Sequence, residues 1–247
     1  MNHPAPHEAW RVAALTMMGP DELSATLQSG DAAQWVGAAA RCGIAKAQLR
    51  LGRMLLEGEG VNRDARAAFA CFLCAAESGD AEAHNMLGRC FENGWGTEKY
   101  FTSSAHHYRI AAEAGLDWAQ YNLAHMLLSG IGIEQDRGAA FCFYGLAAAQ
   151  GHVRAMNLLG RCHEQGWGVE SDIAIARAWY RRSAEGGYFR GAYNYGSVVA
   201  AEGCIAGALH WFERAFADAP EPTRSNMIIA LLSRKEPALR ALAERWT

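Results

Sequence analysis

The stretch that decides the fold is residues 85–96, NMLGRCFENGWG, because it returns at residues 157–168 as NLLGRCHEQGWG. The separation, 157 − 85 = 72 residues, is far beyond any local helical pattern, so the chain is built from internal copies. Half that distance is the basic period. Gly52, Gly88, Ala124, Gly160 and Gly196 fall at steps of 36, as do Gly58, Gly94, Gly130 and Gly166, and Gly60, Gly96, Gly132 and Gly168. Phe72, Tyr108, Tyr144 and Tyr180 keep the same phase, and so do Gly79, Gly115, Gly151 and Gly187. Alternate copies match more closely than adjacent ones. The second and fourth share Asn85/Asn157, Arg89/Arg161, Cys90/Cys162, Glu92/Glu164 and Trp95/Trp167, which points to duplication of a two-copy block.

Each copy reads as two helices. The first carries A-x-x-x-L-G, with small residues that let a neighbouring helix come close, and ends in a G-x-G loop suited to positive φ. An apolar loop residue (Val61, Ile133 or Val169) is expected to plug the loop into the core. Asp64, Asp136 and Asp172 stand where the second helix needs an N-cap. In the second copy Thr97 replaces the loop valine and Tyr100 the aspartate, so Thr102 or Ser103 is the expected cap there. The second helix ends in A-A-x-x-G, and stacked copies bury faces that neither helix can bury alone.

At 247 residues the chain is 51% hydrophobic with only six prolines, a balance that favours helix. A net charge of −3 argues against binding nucleic acid by phosphate neutralisation. No run of about 18 apolar residues suggests a membrane-spanning helix. The N-terminus lacks a basic segment and has Arg11 inside its only apolar stretch, a poor secretory signal, so a cytoplasmic location is expected. The seven cysteines, Cys71-x-x-Cys74 included, are read as small buried hydrophobes.

The motif A-x-x-x-L-G-x-x-x-x-x-G-x-G-V-x-x-D-x-x-x-A-x-x-x-Y-x-x-A-A-x-x-G resembles the Sel1-like repeat, a longer-looped relative of the tetratricopeptide repeat. Four full units cover 47–190. Helices over 8–18, 20–28 and 32–41 with a degenerate capping repeat occupy 1–46. A fifth repeat at 191–219 lacks its loop, since Trp211-Phe212 follows Trp179-Tyr180 by only 32 residues. Two capping helices, 225–234 and 237–246, are expected within 220–247. The resemblance implies an all-α, right-handed superhelical solenoid of antiparallel helix pairs.

It also implies that the first helices line a concave groove. The residues placed there are Asn85, Arg89, Glu92 and Asn93, then Trp118, Tyr121, His125 and Ser129, then Asn157, Arg161, Glu164 and Gln165, and finally Arg190 and Tyr193. An amide beside a guanidinium can hold a carboxylate or a peptide backbone. Against this, Arg89 could pair with Glu92 and Arg161 with Glu164 as surface charges, and Asn85 and Asn157 could hydrogen-bond backbone between repeats. Trp95 and Trp167 either cover a neighbouring repeat or form an exposed edge. No assembled acid, base and nucleophile set appears, and the G-x-G pairs recur as turns, so neither an enzyme nor a cofactor or metal site is expected. The expectation is a monomeric scaffold for a protein or extended peptide, without nucleic acid or membrane insertion. The alternatives are assembly through the terminal helices or the convex face, and a metal or redox sensor. Members of the family serve as adaptors in signalling, secretion and envelope assembly, and some small bacterial ones are linked with iron uptake.

Overall fold

The computed structural model describes Arg11, Ala14 and residues 32–247, so apart from those two helical positions the expected helices 8–18 and 20–28 lie outside the described residues. The described residues form thirteen helices and no strand, in two compact units. The first unit, to Gln135, contains α1 (Ala32–Arg41), α2 (Ala45–Glu57), α3 (Ala65–Ala76), α4 (Ala81–Asn93), α5 (Phe101–Glu113) and α6 (Asp117–Ser129). The second, from Asp136, contains α7 (Arg137–Ala149), α8 (Val153–Gln165), α9 (Ile173–Glu185) and α10 (Phe189–Ala201). It continues with α11 (Ile205–Asp218), α12 (Glu221–Leu232) and α13 (Pro237–Glu244).

The 36-residue period has a direct packing cause. A Cβ added at Gly88 would lie 2.5 Å from the Tyr108 ring, and one at Gly160 would meet Tyr180 in the same way. The glycine on the first helix is therefore the seat of an aromatic ring from the second helix of the same copy. Phe72, Tyr108 and Tyr180 are almost fully buried, and each such ring contributes about 2–3 kcal/mol. Around them, the core of the first unit gathers Leu49, Phe72, Met86, Leu87 and Cys90. That of the second gathers Tyr180, Tyr195, Phe212, Leu231 and Leu239.

The two loop glycines do different jobs. Gly94 ends α4 in the left-handed region (φ 77°), its N–H donating to the Cys90 carbonyl. Gly96, at φ 73°, lies against the backbone of Ala65, so any side chain there would strike the start of α3 in the preceding copy. Gly168 lies on Arg137 in the same manner. The apolar loop residues are only half-buried, so Val61, Ile133 and Val169 edge the core rather than plug it.

Asp64, Asp136 and Asp172 each accept a backbone N–H of the following turn, as an N-cap should. The expected substitute caps Thr102 and Ser103 are a correction. Both lie inside α5, whose N-cap is Tyr100 with no side-chain bond. Beyond α10 the chain turns at Gly203 straight into α11 without a G-x-G loop. The terminal helices differ slightly from expectation. α12 begins at Glu221, because Pro222 is tolerated in a first turn whose N–H groups are unpaired anyway. α13 stops at Glu244, which frees Trp246 to stack on Phe216, ring centroids 3.9 Å apart.

Candidate interaction faces

In the first unit, Asn85 of α4 is 9% exposed, and its Oδ1 accepts from Nδ2 of Asn122 on α6 (3.1 Å). One turn on, Arg89 lies over the Trp95 ring at 5.0 Å, and Trp95 packs against the core that the first and second copies share. Arg89, Trp95 and Met86 border a hollow of about 560 Å³ with Leu55, Leu56 and Glu57. On α6, Trp118 is 45% exposed and meets Tyr121 edge-on at 6.4 Å, while His125 is exposed.

The second unit repeats the frame. Asn157 of α8, 2% exposed, accepts from Nδ2 of Asn194 on α10 (2.8 Å), and Arg161 lies over Trp167 at 4.9 Å. Here a hollow of about 380 Å³ opens between three helices. From α8 come Asn157, Leu158 and Arg161, and from α10 come Phe189, Arg190, Tyr193 and Asn194. α12 supplies Thr223, Asn226, Met227 and Ala230. Tyr193 is half-buried against Phe212, whereas Arg190 is exposed, its guanidinium 5.6 Å from the Phe189 ring.

The structure thus draws Asn157, Arg161, Arg190 and Tyr193 to one hollow and places Asn85, Arg89, Trp118, Tyr121 and His125 on α4 and α6. The glutamates belong elsewhere. Glu92 accepts from the buried Tyr108 hydroxyl (2.6 Å) and Glu164 from Tyr180 (2.9 Å), so they tie the two helices of one copy. Burial, and then the adjacent carboxylate, pushes both tyrosine pKa values upward. The envisaged pairing of arginine with glutamate gives way to arginine on tryptophan. Asn93 donates back to the Arg89 carbonyl, Ser129 to that of His125, and Gln165 is exposed at the end of α8. Sequence reasoning missed Asn122, Asn194, Phe189, Thr223 and Asn226. The dipeptide Tyr121-Asn122, echoed by Tyr193-Asn194 at 72 residues, was the available signal for the first two.

The cysteines split. Cys90 and Cys162 are buried, which pushes their thiols up to about 12 and about 11. Cys42 and Cys71 are half-buried, and Cys74, Cys142 and Cys204 are exposed. This corrects the reading of all seven as core, because the outer face of a stacked helix stays in solvent. The first unit also holds a histidine pair. Nδ1 of His84 and Nδ1 of His107 are 3.0 Å apart, and His107 stacks on Phe91. Burial, followed by the neighbouring histidines, lowers both, His107 to about 4. Among the described residues no three His, Cys, Asp or Glu side chains are grouped to hold a metal ion, and no helix is long and apolar enough to cross a membrane.

The Sel1 repeat family matches residues 45–80, 81–116, 119–152, 153–188 and 205–218, more than half of the chain. The chain belongs to the Sel1 repeat family. Its members generally mediate protein–protein interaction. Solved structures share the fold. The protective antigen c5321 of uropathogenic Escherichia coli, which displays an SLR fold, is 27% identical with a TM-score of 0.75 over 97% of this chain. The chain spans only 55% of that protein's length. A Sel1 repeat protein from Oxalobacter formigenes shares 23% identity, TM-score 0.74, covering 97% of this chain and 93% of its own. The immunity protein Pa5087 of Pseudomonas aeruginosa is 19% identical, TM-score 0.55, over 81% of this chain and 75% of its own. The all-α solenoid of helix pairs expected from the sequence is the fold of this Sel1 repeat chain. No curated protein matches the sequence.

Proposed function

We propose that this Sel1 repeat chain is a non-enzymatic adaptor of the cytoplasm that binds a protein or extended peptide on its first-helix faces. The observation that carries the reading is the layered build repeated in each unit. A buried Asn–Asn tie fixes two successive first helices, and above it stand guanidinium and aromatic side chains that remain partly exposed. Rigid backing below aromatic and arginine anchors is the makeup of a binding hot spot. A photo-crosslinking amino acid at Trp118 or at Tyr193 should trap a partner in cell extract, while one at Arg214, on a second helix, should not. Trapping from Arg214 alone would overturn the face assignment.

A second reading has its own observation. Ile229 on α12 is 67% exposed and Leu232 beside it 39%, an apolar edge on the terminal pair suited to assembly. Light scattering that shows a concentration-dependent dimer, abolished by Ile229→Asp, would favour it. A monomer at all concentrations would remove it.

A further inference from the structure

We infer that the hollow between α8, α10 and α12 takes an acidic peptide segment, its side-chain carboxylates held by Arg161 and Arg190 and an adjacent apolar side chain seated on Tyr193 and Met227. This rests on the interaction reading above and names the chemistry of the occupant at one face.

Charge decides the sign. Two guanidiniums border the same hollow of about 380 Å³, and no aspartate or glutamate is among the described residues lining it. Neither arginine has a carboxylate within ion-pair distance among the described residues. In a chain of net charge −3, an uncompensated pair of cations in one concavity is a local exception. Each guanidinium lies over an aromatic ring, Arg161 on Trp167 and Arg190 on Phe189. Among the described residues neither guanidinium spends an N–H donor on a hydrogen bond or ion pair, so the donors remain for a planar anion, the bidentate geometry a carboxylate accepts.

The remaining lining selects a peptide. Asn194, half-buried in the lining, donates through Nδ2 to the buried Asn157 Oδ1, which leaves Asn194 Oδ1 as an acceptor for a peptide N–H. Leu158, Tyr193, Met227 and Ala230 make the lining largely apolar, which suits a bulky side chain beside the acid. A nucleic acid would want a continuous basic track, and the net charge opposes it. The volume lies in the range of small-ligand sites, so it fits about two or three side chains of an extended segment and no folded domain.

The test uses the full chain and a panel of fluorescein-labelled, end-blocked peptides that set one or two glutamates beside phenylalanine or leucine. These should bind in an anisotropy titration, weaken as salt is raised, and lose about tenfold or more in affinity when glutamine replaces glutamate. Arg190→Gln, at an exposed position, should cost the chain a similar factor, and Arg161→Gln likewise with an unchanged circular dichroism spectrum. Equal binding of the glutamine peptides, or full binding by both variants, would overturn the acidic assignment. So would binding that needs a free C-terminus, tighter binding of a single-stranded oligonucleotide, or no acidic peptide bound at millimolar concentration. If neutral peptides bind and Tyr193→Ala abolishes it, the acidic class falls while the face reading stands.

Discussion

Nearly the same twelve-residue phrase stands in both units, yet its neighbours make two different surfaces. Asn85 meets Asn122 on the helix that carries Trp118 and Tyr121, whereas Asn157 and Arg161 share a hollow with Arg190, Tyr193 and Asn194. The residues that differ at the 72-residue step are decisive: Asp117-Trp118 in the first unit, Phe189-Arg190 in the second. One face therefore carries an aspartate and an exposed indole, the other two arginines and no carboxylate. A repeated helix supplies a frame, and the next helix along determines what the frame can hold.

The largest expected effect tests whether the frames are equivalent. Gly96→Ala and Gly168→Ala should each destabilise the chain by about 3 kcal/mol or more in denaturant melts, since positive φ and a backbone collision coincide. A tolerated substitution at one site and not the other would mean that the two loops carry unequal load. Next come the asparagines. Asn157→Ala should cost about 2 kcal/mol and Asn85→Ala about 1, because the former is deeper and its bond shorter, 2.8 against 3.1 Å. Reversed values would show that burial does not rank the ties. Tyr108→Phe should cost about 1 kcal/mol, slightly more than Tyr180→Phe, as the Tyr108 bond to Glu92 is the shorter. Equal melting temperatures for both variants and wild type would make these bonds energetically neutral.

The smallest effect belongs to the first unit alone. Met156 and Trp179 stand where the second unit would need His84 and His107. Burial holds His107 at about 4, below its ordinary 6.5, so the unfolded chain takes up its proton first as pH falls. Its stabilisation is complete above pH 6.5 and is lost as pH drops through about 4, amounting to about 1 kcal/mol once solvent screening is allowed for. Melting temperatures of wild type and His107→Phe should therefore diverge between pH 7 and 4, with the wild type falling faster by about 3 °C. Parallel curves would place the pair outside the pH response.

Legibility followed range. The helix pairs, their turns and their aspartate caps could be read because each depends on residues a few positions apart. Glu92 reads as a groove residue in the linear phrase, yet in space it holds the Tyr108 hydroxyl, 16 positions on, a pairing that local spacing does not show. The asparagine ties were half visible, since the partners lie 37 residues away, 122 − 85, in a dipeptide that itself recurs.

By itself the sequence determined the family, the period, and the glycine and aromatic positions that make one copy fold onto itself, because those constraints act within a copy. Only the tertiary structure decided where charge accumulates without a partner. That depends on which first helices stand beside one another, so α12, legible only as an end cap, became a wall of the second unit's hollow.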